Sequence, residues 1–413
     1  MSPRNHHVHP QRHPGRPARA GGAAVAALGL WLGAAPVAVA ADVIRIGYLG
    51  LEPGPQEPVS LLDPVLTDEG VQGARLAIED NNATGQFMGQ EFVLEEIVVA
   101  RDGDVAAGLH GLAEAGADFI LSDLPRERLE EIMALPEAAD RVIFNVKARD
   151  NALRNEACAP NLLHTTPSRA MLTDALAQFL VYKRWRDWAL VVGNTPEDQL
   201  YADSLRTSAA KFGARIVGAR QWPHTPLARR AEGGFHAIQR EVPVFLQDLP
   251  DHDVLIIADE TDYFGEYFPN QTWLPRPVAG TQHLIAAAWH RAHESWGAVQ
   301  LHRRFESQAG RWMTERDLAA WIAVRSLGEA ATRTRSVDPD SLLSYVLSEE
   351  FQLGAYLGEP VTYRGWDRQL RQPVLVTGPR MVASVSPQEG FLHRVTPLDT
   401  LGHDQPESGC RLG

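Results

Sequence analysis

Short β-branched runs followed by helical patterns recur along this chain in two series, and that order narrows the folds open to it. In the first, "VIRIGYL" leads across a Pro/Gly-rich loop into "DEGVQGARLAIEDNNATG". "EFVLEEIVV" then precedes "DVAAGLHGLAEAG", "DFILSDL" precedes "RERLEEIMALPEAA", and "RVIFNV" opens a loop. Buried strands alternating with helices predict a parallel, doubly wound sheet. The series restarts after "HTTPSRA" with an amphipathic helix from Met171 to Trp185, followed by "WALVVGN", "DQLYADSLRTSAAKFG", "ARIVGAR" and "DVLIIAD". Two such series joined by an extended, proline-containing segment predict two similar lobes. No short-period repeat occurs, which argues against a solenoid. From about Trp312 two helical patterns follow, then strands around "EPVTYRG" and "QPVLVTG", then a polar tail with little to pack.

The chain has 413 residues and 44% hydrophobic content, enough for two cores. Its first twenty residues hold Arg4, Arg12, Arg16 and Arg19 and no acid, and lead into "GGAAVAALGLWLGAAPVAVA". A basic head, a short apolar middle and an Ala38-Val39-Ala40 exit describe a secretory signal removed near Ala40 better than a retained anchor. Losing those four arginines takes the formal charge from −13 to −17. Nucleic acid and anionic lipid surfaces would repel so acidic a chain. Cys158 and Cys410 are the two cysteines. In an oxidising compartment an even count favours a disulfide, with two unrelated buried thiols as the other arrangement.

The usual catalytic signatures are absent: no Gly-rich phosphate loop, G-x-S-x-G elbow, H-E-x-x-H or C-x-x-C. His290, His293 and His283 share a helix face if "AAAWHRAHESW" is helical, as zinc ligands or as exposed polar groups. The stretch "DVLIIADETDYFGEYF" places four carboxylates, Asp259, Glu260, Asp262 and Glu266, just beyond a buried strand.

"EGVQGARLAIEDNNATGQFMGQEFVL" resembles the first helix and second strand of type I periplasmic binding proteins, the branched-chain amino-acid-binding group. "LLHTTPSRAMLTDALAQFLV" is similar to that family's crossover into its second lobe, and "SAAKFGARIV" to its helix–Gly–strand step. "NALRNEACAPNLLHTTPSRAMLTDALAQFLVYKRW" and the ending "LDTLGHDQPESGC" resemble one branch in particular. Its members are ABC-transporter binding components encoded beside PQQ-dependent alcohol dehydrogenases. The resemblance runs from about residue 42 to 410.

It implies an α/β fold of two doubly wound parallel-sheet lobes joined by a three-crossover hinge, with a ligand closed between them. The expected division is a leader over 1–40, a first lobe of 42–165 plus about 312–362, a second of 166–311 plus about 363–395, and a tail of 396–413. The implied protein is a non-catalytic, monomeric periplasmic carrier with no cofactor, a small-molecule ligand and an inner-membrane permease as partner. Open α/β sheets bind ligands beyond the carboxyl ends of their strands, and interdomain clefts are favoured pockets. The expected ligand-binding residues are therefore Ser122, Asp123, Asn145, Lys147, Arg149, Asp150, Asn194, Tyr201, Asp259, Glu260 and Asp262, with Glu266 outside the site. Where amino-acid-binding members carry small Ser, Ala or Thr residues, this chain reads "NVKARDNAL". Lys147 and Arg149 either face the cleft, which favours a charged or strongly polar ligand, or lie solvated in a loop. A carrier of calcium or a lanthanide is the alternative, with Asp123, Asp150, Asp259, Glu260 and Asp262 as hard oxygen ligands. A hydrolase using paired carboxylates is a third.

Overall fold

The computed structural model of the protein describes residues 41–54, 64–223 and 234–412. The expected leader and its exit at Ala40 lie outside the described residues. Among those described, no helix is long and apolar enough to cross a membrane.

The first series forms β1 (Asp42–Leu51), α1 (Val71–Met88), β2 (Gln90–Val99), α2 (Val105–Glu114), β3 (Phe119–Asp123), α3 (Arg126–Met133), α4 (Pro136–Ala139), β4 (Val142–Asn145) and β5 (Leu162–His164). Its five strands form one parallel sheet in the order β2-β1-β3-β4-β5. The second series supplies α5 (Arg169–Tyr182), β6 (Asp187–Val192), α6 (Pro196–Phe212), β7 (Arg215–Gln221), α7 (Gly234–Leu246), β8 (Val254–Ala258), β9 (Val278–Gly280) and β10 (Leu284–Ala287). After these come α8 (Ala298–Ala309), α9 (Glu315–Thr334), α10 (Pro339–Val346), β11 (Thr362–Tyr363), β12 (Leu370–Arg371), β13 (Val374–Gly378) and β14 (Met381–Ser386). The second sheet runs β14-β13-β10-β9-β8-β6-β7, parallel from β7 to β10 and antiparallel at β13 and β14. The chain thus passes between lobes three times: from β5 to α5, from β10 to α8, and from β12 to β13.

The strands are apolar because each sheet is covered on both faces. In the first lobe Ile46, Phe119 and Phe144 pack against α1, α8 and α9, while Leu49, Ile120 and Ile143 meet α2 and α3. In the second, Leu190 and Ile256 meet α5 and α6, and Val191 and Ile257 meet Trp222, Phe264 and Phe268. Close packing of α1 on α9 depends on Gly73, where a Cβ would sit 1.9 Å from the Asp317 carbonyl oxygen.

Three expectations need correction. The second-lobe boundary near 311 falls earlier, because Trp289, Leu301 and Phe305 join the first lobe's core. The boundary near 362 falls later, since Tyr363 and Leu370 belong to that core and the second sheet resumes at Val374. Helix α5 is not amphipathic: every residue from Arg169 to Val181 is buried. Part of the reason is the tail, whose Leu401 packs with Met171, Leu172 and Ala175 of α5. Leu398 and Asp399 are buried too, so the tail is better packed than its composition indicates. The disulfide Cys158–Cys410 is formed, with Cα atoms 5.8 Å apart.

Candidate functional site

The parallel part of each sheet follows the order in which the first strand of each series is flanked by the second and the third. In this doubly wound order ligands sit beyond the carboxyl edge, where successive crossovers part. The two carboxyl edges meet in a cleft holding a cavity of about 500 Å³. Its walls come from the loops after β3, β4 and β8, the first turns of α5 and α6, the β9–β10 segment and Glu315.

Asn145 shapes the first-lobe wall from below. Its Oδ1 accepts from the Lys147 and Ala148 amides at 3.1 and 2.8 Å, and its Nδ2 donates to the Ala148 carbonyl and to Nδ1 of His164. Asn145 is itself fully buried. The turn it folds brings both Lys147 and Arg149 to the cavity wall. Arg149 pairs with Glu315 at 3.2 Å. Lys147 is held more loosely, with Nζ 3.4 Å from the Asp123 carbonyl and 3.6 Å from its carboxylate. Burial lowers the Lys147 pKa, and Asp123 opposes that shift.

At the centre lies a residue that sequence reasoning missed. Arg169 opens α5 behind the N-cap Ser168. Its Nη1 donates to Asp150 at 2.7 Å and its Nε to Glu260 at 2.8 Å, and all three side chains are largely buried. Asp150 belongs to the first lobe and Glu260 follows β8 in the second, so one guanidinium ties the two walls. Burial works against that charge, and the two carboxylates outweigh it and raise the Arg169 pKa. Burial also raises the Glu260 pKa, with Arg169 pulling the other way.

The acidic run divides its labour. Asp259 is 1% exposed and accepts the backbone amides of Tyr263, Phe264 and Gly265 at 2.7–2.9 Å. Its carboxylate therefore caps its own loop, while the residue also borders the cavity. Burial raises its pKa, and those amide donors oppose the shift. Asp262, at φ 54°, accepts from Gln282 at 2.8 Å on the cavity wall. Glu266 also lines this cavity, contrary to expectation, because the 3-10 turn Gly265–Tyr267 folds the chain back along the cleft.

The remaining expected residues scatter. Tyr201 lines the cavity, its pKa raised by burial. Asp123 accepts from the Tyr48 hydroxyl at 2.6 Å in a smaller first-lobe cavity of about 310 Å³, which shares Lys147 and Pro125 with the larger one. Ser122 is fully buried and lines neither cavity. Asn194 sits on an exposed loop, bonded to Gln221 and the Trp222 carbonyl. Arg126, Gln282 and Glu315 line the cavity unannounced. The signal nearest to hand was "TTPSRA": a Ser N-cap opening a helix straight out of a crossover puts the next side chain at the cleft.

The five acids of the metal reading do not converge. Asp150 and Glu260 are held by Arg169, Asp259 by backbone amides and Asp123 by Tyr48. Among the described residues no three His, Cys, Asp or Glu side chains gather to hold a metal ion. The zinc reading of the histidines also fails, because the chain after Ala287 runs in turns rather than a helix. His293 there bonds the Tyr356 carbonyl at 2.8 Å.

A family model described as periplasmic binding protein matches residues 44–230. A search of curated proteins finds no match. Among solved structures the chain is similar to a branched-chain amino-acid ABC-transporter periplasmic ligand-binding protein from Burkholderia xenovorans LB400. That match has a TM-score of 0.68 at 14% identity and covers 89% of this chain and 99% of that one. It is similar to a closed leucine-, isoleucine-, valine-, threonine- and alanine-binding protein from Brucella ovis, with a TM-score of 0.64 at 13% identity and coverage of 90% and 100%. It is also similar to an ABC-transporter solute-binding protein from Rhodopseudomonas palustris BisB5 in complex with 3,4-dihydroxybenzoic acid. There the TM-score is 0.56 at 13% identity, with coverage of 81% and 93%. The fold is that of type I periplasmic binding proteins.

Proposed function

We propose that this chain is the periplasmic solute-binding component of an ABC transporter. It is a monomer that holds a small polar or charged molecule between its lobes, hands it to an inner-membrane permease and does no chemistry on it. The observation that carries this reading is the interlobe cavity, lined from both lobes at the carboxyl edges of their sheets. The family match over 44–230 supports it, as do similar structures described as binding amino acids or a dihydroxybenzoic acid. Lys147, Asp150, Tyr201, Glu260 and Asp262 are the proposed ligand contacts, together with Arg169, which orients the two acids it bridges. Charged groups on both walls fit a ligand that offers several hydrogen-bonding or ionic groups better than an aliphatic side chain. The resemblance to components encoded beside PQQ-dependent alcohol dehydrogenases ties that ligand to alcohol oxidation.

Native mass spectrometry of protein exported by its host and purified without chelator tests the proposal. A retained organic molecule is the expected result. A retained metal ion in place of an organic molecule overturns it.

A further inference from the structure

We infer that the C-terminal tail is a fourth connection between the lobes, closed covalently by Cys158–Cys410, and that it limits how far the cleft opens. The tail begins against the first lobe. The β11–β12 hairpin packs there through Tyr363 and Leu370, and Gln369 bridges to His164 at the end of β5. Two arginines of that hairpin segment, Arg364 and Arg371, donate to one oxygen of Asp399 at 2.9 and 2.8 Å. Arg364 also donates to the Leu401 carbonyl at 2.7 Å.

The tail then crosses to the second lobe. Leu401 packs with Met171, Leu172 and Ala175 of α5 and Val374 of β13. The next amide, of Gly402, donates to buried Asp174 at 2.9 Å. Lys211 of α6 donates to the Gly402 carbonyl at 2.8 Å and lies 3.6 Å from Glu407.

Finally the tail returns. Cys410 is bonded to Cys158, whose neighbours Ala157 and Ala159 pack on the first lobe's α2–α3 core, and the Gly409 amide donates to Asn155. Between its anchor on α5 and its anchor on the first lobe, the strap runs nine residues, from Gly402 to Cys410, or eight residue-to-residue steps. Extended, eight steps reach about 26–29 Å. The helical turn Gln405–Glu407, closed by a capping box with Asp404, takes up part of that length. Separation of Asp174 from Cys158 beyond the remaining reach requires either the S–S bond to break or Leu401 and Gly402 to leave their places on α5. Hinge motion is the movement this architecture allows.

The test compares the solute-free protein with C158S/C410S by single-molecule energy transfer. Fluorophores are placed on unnatural residues at the exposed positions Ala83 of α1 and Ala210 of α6. The expected result is a shift to longer interlobe distances and a broader distribution in the double variant, with faster amide exchange over residues 399–412. Superimposable distributions overturn the inference, whether the tail stays docked or comes away. Should the variant fail to fold, reduction of the folded wild type followed by alkylation makes the same comparison. No solute enters the measurement, so its outcome is independent of what the cleft binds.

Discussion

Replacing Arg169 with leucine should cost about 3 kcal/mol of stability. One guanidinium holds two carboxylates, Asp150 at 2.7 Å and Glu260 at 2.8 Å, and the acids are each 13% exposed. Removing one partner of a buried ion pair typically costs about 3–5 kcal/mol, because the other charge is left uncompensated. Two are left here, but they border a water-accessible cavity, which sets the expectation at the lower end. R169K keeps the charge yet cannot aim two nitrogens at two acids, so an intermediate loss is expected. The triple variant D150N/R169L/E260Q should recover most of it. The variant's deficit should shrink on acidification. Burial already raises the Glu260 pKa against the pull of Arg169, and without that pull the group protonates more readily. Urea unfolding followed by circular dichroism and tryptophan fluorescence supplies the midpoints, provided the two probes overlay. R169L within about 0.5 kcal/mol of wild type at every pH, the range of an ordinary surface substitution, would refute the reasoning.

Asp259→Ala should unfold the loop rather than spare it. Three buried amides lose their acceptor, each unmet donor costing about 1–3 kcal/mol before relaxation, and exchange protection at Tyr263, Phe264 and Gly265 should disappear. A variant of unchanged stability that only binds solute more weakly would instead make Asp259 a ligand contact. His164 is fully buried, and burial first, then nearby Arg154, lowers its pKa well below the ordinary value. The folded state therefore stays neutral while the unfolded chain takes up a proton below about pH 6.5. The stability that His164 contributes is complete above that pH and declines as pH falls below it, by up to about 1.4 kcal/mol per pH unit. His164→Asn should flatten the urea-midpoint slope between pH 7 and 5, and an unchanged slope would count against a neutral buried imidazole.

The sheets were legible because parallel strands covered on both faces are apolar throughout, and helices between them keep a regular spacing. The short β9 and β10 were not, at three and four residues without flanking alternation. Two kinds of contact hid the site. Arg169 meets Glu260 across 91 positions of sequence, a pairing that no local pattern announces. Asp259 spends its charge on backbone amides, which any residue can supply, so its acidity looked like a ligand signal. The turn behind Asn145 likewise depends on a side chain bonding its own backbone, and only its consequence, Lys147 and Arg149 on the wall, bears on function. The disulfide was readable from an even cysteine count in a chain whose first residues read as a secretory signal. The tail's packing was not, because Leu401 is buried by partners on α5 far away in sequence.

Calorimetry on the solute recovered from native protein tests the central claim most directly. Leu200 lines the cavity from α6 and is 44% exposed, so Leu200→Trp fills the cleft without disturbing a core. The wild type should show saturable binding at one site, and Leu200→Trp, folded to the same stability, should show none. Equal affinity in the two proteins would place the solute outside the interlobe cavity and contradict the account.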